Sequence, residues 1–230
     1  MPVSAPERVS AAAPVSAPEL RLASCRADIV ELAALRGRAG ELDRIAGAHG
    51  RQLPAFGRIA SDADFLALCV RPQRWLLLGA PASPGANAAH WQAACVGADD
   101  GVAAGVAAGV AIDLSSALVV LHLGGGGERE LLARGCRLDL SAEAFPPGSA
   151  AATVMVQVSV ILAALPSGVL LLTPASTARH LREWLAATAR SLGQMPSAAA
   201  MVAELTLAEV TVAESTAAEP GVAESTGDPR

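Results

Sequence analysis

The sequence predicts an α+β protein made of two duplicated βαββα halves, and three observations predict it. Apolar runs ending Leu-x-Gly occur at Ile29 to Gly37 and again at Ala117 to Gly125. Each is followed by a short segment with a glycine stop and then by two apolar runs split by turn residues. Each series closes on Trp-x-Ala-Ala, at Trp91 to Ala94 and at Trp184 to Ala187. Corresponding elements keep the same order at offsets of about 85 to 94 residues, which gives halves at about 28–96 and 113–193.

In the first half, Ile29 to Gly37 reads as a strand, and Glu41 to Gly47 or Gly50 as a helix stopped by glycine. Leu53-Pro54-Ala55-Phe56-Gly57 is a turn. Phe65 to Val70 and Trp75 to Leu78 form a hairpin around Arg71-Pro72. The second half repeats this with a strand at Ala117 to Gly125, a helix at Glu128 to Gly135 and a turn at Phe145-Pro146-Pro147-Gly148. Val158 to Leu165 and Val169 to Leu172 flank Pro166-Ser167-Gly168. In the closing helix Leu181, Trp184, Leu185, Thr188 and Leu192 share a face, with Thr173 placed to cap it and Pro174 in its first turn. The connector from Gly97 to Ala111 repeats Gly-Val-Ala-Ala and reads as a pliable link or a poor helix.

Both ends are low in complexity. Residues 1–24 form a disordered segment in this reading, with Val-Ser-Ala-Pro-Glu at 3–7 and 15–19. Residues 194–230 carry pentads such as Val-Ala-Glu-Leu-Thr from Val202 to Thr226. A period of five builds no continuous apolar face on helix or strand, so this acidic tail also reads as disordered. Residues 25–193 remain as the folded domain.

The 230 residues are 52% hydrophobic and 17% charged, with net charge −5 and no lysine or tyrosine. The absence of lysine excludes a Walker A loop and a Schiff-base or pyridoxal-anchoring lysine. The whole net charge lies in residues 197–230, where six acidic residues face Arg230; residues 1–196 are balanced. A neutral body without a basic run argues against nucleic acid. The start of the chain has no basic and apolar signal pattern, and Val154 to Leu172 is interrupted by Gln157, Ser159 and Pro166-Ser167-Gly168. The expectation is a cytoplasmic protein with no membrane span.

The residues offer little catalytic chemistry. Cys25, Cys69, Cys95 and Cys136 form no C-x-x-C pair and read as reduced, buried thiols. His49, His90, His122 and His180 lack metal-ligand spacing, and His122 reads as a hydrogen-bonded histidine inside an apolar strand. Gly124 to Gly127 invites a phosphate-loop reading, but Arg129 breaks G-x-G-x-x-G, leaving a strand-to-helix turn. Ser149 reads as a turn residue. Cys136 has Arg134 and Arg137 as neighbours but reads as a structural thiol. Asp62 with Asp64, and Asp99 with Asp100, read as solvated charge without a partner. No catalytic, cofactor-binding or metal-binding residue is assigned.

The stretch Asp113-Leu114-Ser115-Ser116-Ala117-Leu118-Val119-Val120-Leu121-His122-Leu123-Gly124 resembles the gamma subunit of heterotetrameric sarcosine oxidase. Leu131 to Leu140, Phe145 to Gly148, Leu53 to Arg58, Trp75 to Gly79 and the Trp184 helix fit the same family, across about 25–190. The resemblance implies a folate-binding, aminomethyltransferase-like fold. It also implies an accessory, non-catalytic chain in a complex with alpha, beta and delta subunits. That complex oxidises sarcosine to glycine, with hydrogen peroxide and methylenetetrahydrofolate as further products. FAD, FMN, NAD, zinc and tetrahydrofolate would then be held by the partner subunits. The chain departs from the family at Ala152, where an arginine is common, and at Pro174-Ala175-Ser176-Thr177, where an aromatic residue is common. A free-standing folate-binding module is the alternative that the same fold allows.

Overall fold

Strands that are apolar at consecutive positions need cover on both faces, and the arrangement of this chain supplies it. The computed structural model describes residues 20–62, 65–96, 107–193, 204–206 and 209. The first part contains β1 (Arg21–Arg26), β2 (Asp28–Ala34), α1 (Ala39–Ala48), β3 (Ile59–Asp62), β4 (Phe65–Arg71) and β5 (Arg74–Gly79). A 3-10 turn at Pro84–Ala86 leads to α2 (Ala88–Val96). The second part contains β6 (Gly109–Asp113), β7 (Leu118–Gly124), α3 (Glu128–Ala133), β8 (Ala150–Met155), β9 (Val158–Leu165), β10 (Gly168–Pro174) and α4 (Ala175–Ser191). A short β11 (Glu204–Thr206) follows.

Two sheets form, ordered β3-β4-β5-β2-β6 and β11-β1-β7-β10-β9-β8. They pack face to face, with helices outside. On β10, Leu170 and Leu172 enter the layer between the sheets, while Val169 and Leu171 face the α3/α4 side. On β4, Leu66 and Leu68 join that central layer, and Phe65, Ala67 and Cys69 face α1 and α2. Strict period-two alternation therefore divides one run of apolar residues between two cores. Each buried leucine contributes roughly 1.5–3 kcal/mol to this packing. The indole N–H groups of Trp75 and Trp91 donate to the carbonyls of Pro54 and Gly85, each at 2.9 Å, so both rings are buried without a polar penalty.

Within each sheet four strands follow the same spatial order, β2-β5-β4-β3 and β7-β10-β9-β8. The unit is therefore β-α-β-β-β-α, and the expected βαββα halves each miss one strand. That strand, β3 or β8, is short or alanine-rich and carries little apolar signal. The strand preceding each unit crosses into the other sheet: β1 pairs with β7, and β6 pairs with β2. At the β3 and β8 ends the two turns exchange hydrogen bonds. Ile59 N–H donates to the Gly148 carbonyl at 3.0 Å, and Ala150 N–H donates to that of Gly57 at 2.9 Å.

Other expectations are corrected at particular residues. Residues 21–24, expected to be disordered, belong to β1, where Leu22, Ala23 and Cys25 find apolar cover. Gly109 to Ala111, expected to be linker, begins β6. Within the tail, Glu204–Thr206 pairs with β1. Residues 1–19, 97–106 and most of the tail lie outside the described residues. Thr173 does not cap α4. It sits buried in β10 with its hydroxyl 3.2 Å from that of Thr177, and Pro174 occupies the cap position.

Candidate functional site

The two crossing connections lie side by side and border a cleft. β1 passes into β2 through Ala27, and β6 passes into β7 through Leu114 to Ala117. A cleft of about 380 Å³ lies there, lined by Ser24, Cys25, Arg26, Asp28, Ser115 and Val120 among others. Backbone bonds tie the connections together. Leu114 N–H donates to the Ile29 carbonyl at 2.8 Å, and Ile29 N–H donates to Ser115 Oγ at 2.9 Å.

Asp113 Oδ1 accepts the Ser115 N–H at 2.9 Å, and that bond, with a second from the Ser115 hydroxyl, holds the Asp113 carboxyl below the usual carboxylate range. Asp28, which lines the cleft, accepts the Ala82 N–H through Oδ2 at 2.7 Å. The Cys25 thiol is pushed up to about 12 by burial and, to a lesser degree, by the charge of Glu209. It stays protonated at neutral pH. The cleft thus carries the Asp28 carboxylate and the Ser24 and Ser115 hydroxyls beside apolar Leu118, Val119 and Val120, a lining that suits a polar molecule. A smaller cavity of about 180 Å³ lies beyond Leu118, where Arg74 and Glu31 pair at 2.6 Å above Leu76 and Ile161.

The structure scatters the residues singled out from sequence. His122 is buried in β7, with Nε2 3.3 Å from the Ser167 hydroxyl, and burial lowers its pKa to about 4. His49 and His90 are exposed, with ring centroids 4.7 Å apart; His180 is exposed on α4. Gly124 to Gly127 forms the turn from β7 into α3, a helix of only six residues. Arg129 has a structural task in that helix: its guanidinium donates to the carbonyls of Leu140 and Phe145 at 2.6 and 2.9 Å. Ser149 lies at a bridge with Arg58.

Cys136 is buried, with Sγ 3.8 Å from Thr153 Oγ1. Asp62 is not unpartnered, because Arg51 reaches it at 2.6 Å. Asp64, Asp99 and Asp100 lie outside the described residues. Among the described residues no group of three His, Cys, Asp or Glu side chains could hold a metal ion. Among the same residues no helix is long and apolar enough to cross a membrane. Ser24, Arg26 and Asp28 come to the cleft through β1 and its step into β2; Ser24 falls in the segment 1–24 expected to be disordered, and no motif marks Arg26-Ala27-Asp28.

No family model and no curated protein matches the sequence. Among solved structures, a chain of heterotetrameric sarcosine oxidase from Corynebacterium sp. U-96, crystallised with pyrrole 2-carboxylate, is similar at 24% identity and TM-score 0.62. That likeness covers 78% of this chain and 88% of that one. The glycine cleavage system aminomethyltransferase T from Bartonella henselae is similar at 13% identity and TM-score 0.53, over 84% of this chain. This chain spans only 49% of the aminomethyltransferase. The paired sheets, crossed strands and outer helices are therefore the fold that this chain shares with a chain of heterotetrameric sarcosine oxidase and with part of aminomethyltransferase T.

Proposed function

We propose that this chain is the accessory, non-catalytic gamma-type subunit of a heterotetrameric sarcosine oxidase, acting in the cytoplasm. One observation carries the reading: the likeness to the sarcosine oxidase chain runs over most of both chains, whereas about half of aminomethyltransferase has no counterpart here. The partners are then alpha, beta and delta subunits, and FAD, FMN, NAD, zinc and tetrahydrofolate belong to them. The role of this chain is to bury apolar surface of its partners and hold them in register. Exposed Leu35, Phe56, Val110, Ile112 and Val154 are available for such contacts.

Tagged co-expression with the products of neighbouring reading frames tests this. A yellow complex with sarcosine-dependent peroxide production, which falls apart when this chain is omitted, is the expected result. Purification of this chain alone as a stable monomer, with its neighbours active without it, would remove the subunit reading.

A second reading, a free-standing folate-binding module, is favoured by the cleft, where the Asp28 carboxylate would face a pterin. It requires heat on titrating folate into the isolated chain, abolished by Asp28→Ala. No heat at millimolar folate would remove it.

A further inference from the structure

Among the described residues the outer edge of β1 carries the three-residue strand β11, and the repetition of the tail bears directly on that pairing. β11 runs parallel to β1 in the register Ser24 to Glu204, Cys25 to Leu205 and Arg26 to Thr206. Leu205 packs against the central apolar layer that includes Cys25 and Ile29. The docked tripeptide Glu204-Leu205-Thr206 ends the first tail pentad. The next pentad ends Glu209-Val210-Thr211, with the same chemistry in the same order. In the third and fifth pentads the position of Leu205 is taken by Ser215 and Ser225, and in the fourth by Pro220, which is poorly suited to a strand.

We propose that the β1 edge is a docking site for the Glu-apolar-Thr element of this chain's own tail, able to accept either Glu204-Leu205-Thr206 or Glu209-Val210-Thr211. A one-residue slip would turn an apolar side chain away from the core. A slip of a whole pentad instead brings Val210 to the place of Leu205 and keeps the pattern. Such a slip lengthens the chain between α4 and the docked strand by one pentad, a closure cost of about twofold in the equilibrium constant. Glu209, the first residue of the second element, is close enough for its charge to act on the Cys25 thiol.

Residue-resolved alkylation of Cys25 with iodoacetamide reads the occupancy, because Cys25 is 6% exposed and lies opposite the docked strand. Cys69, Cys95 and Cys136, also buried, report any global opening in the same sample. Truncation before Glu204 should speed Cys25 alkylation about tenfold or more, as expected for release of a locally closed segment, with the other three thiols unchanged. Leu205→Ser alone should give about two- to threefold and Val210→Ser alone no change, while the double variant should match the truncation. If Leu205→Ser alone matches the truncation, only one register exists and the proposal fails. It also fails if truncation leaves Cys25 protected, or if protection rises with protein concentration, which would make a second copy the donor of the strand.

Discussion

His122 shows how a residue suited to proton transfer is put to a structural use. Its imidazole is buried beside Ser167 Oγ, and burial holds its pKa near 4 against an ordinary 6.5. The folded state binds the proton less tightly than the unfolded chain, so this contribution to stability is complete above about pH 6.5. It is lost as pH falls toward 4, by up to about 3 kcal/mol. Urea midpoints at pH 7, 5.5 and 4 should therefore fall less steeply for His122→Gln than for the unaltered chain; parallel curves would refute this. Gln157 makes a second case. With Val156 it forms the two-residue turn between β8 and β9, at φ of 66° and 51°, values that favour glycine or asparagine. Because Gln157 is exposed, Gln157→Gly should stabilise the chain by about 0.5–1 kcal/mol, seen as a rise in melting temperature of a few degrees. An unchanged or lower melting temperature would contradict it.

Elements were legible in proportion to how apolar they are. The hairpins β4/β5 and β9/β10, and the strands β2 and β7, stand in the sequence within a few residues of their observed bounds, because burial on both faces writes continuous apolar runs. By contrast β3 reads Ile-Ala-Ser-Asp and β8 begins Ala-Ala-Ala, so neither differs from loop sequence in an alanine-rich chain. β1, β6 and β11 were hidden for another reason: their pairing partners lie far away in sequence or in the other half. The cleft depends on that same crossing and was hidden with it. Helix α3 is too short to hold itself and relies on contacts beyond its own turns. Arg129→Ala removes the donor to the loop carbonyls of Leu140, Ser141 and Phe145 and should cost about 1.5–3 kcal/mol, with faster amide exchange confined to residues 138–148. Exchange that rises evenly across the chain would point to a different role for Arg129.

At the scale of the whole molecule, the exchange of β1 and β6 makes each sheet depend on both halves. Fragments 20–106 and 107–193 should therefore each lack a cooperative thermal transition, and mixing them should restore one. A sharp melt from the first fragment alone would show that a half is self-sufficient. The repeated strand order and the hydrogen bonds of Gly57 with Ala150 and of Gly148 with Ile59 join the two halves at the β3 and β8 ends as well. Vectorial synthesis meets the same exchange in another form. The sheet of β2 to β6 has all its strands once Asp113 has left the ribosome, and it can close while the rest is still being made. β1 emerges before any of them, yet its partner β7 begins only at Leu118. Strand β1 must wait, edge open, through the manufacture of an entire sheet to which it does not belong.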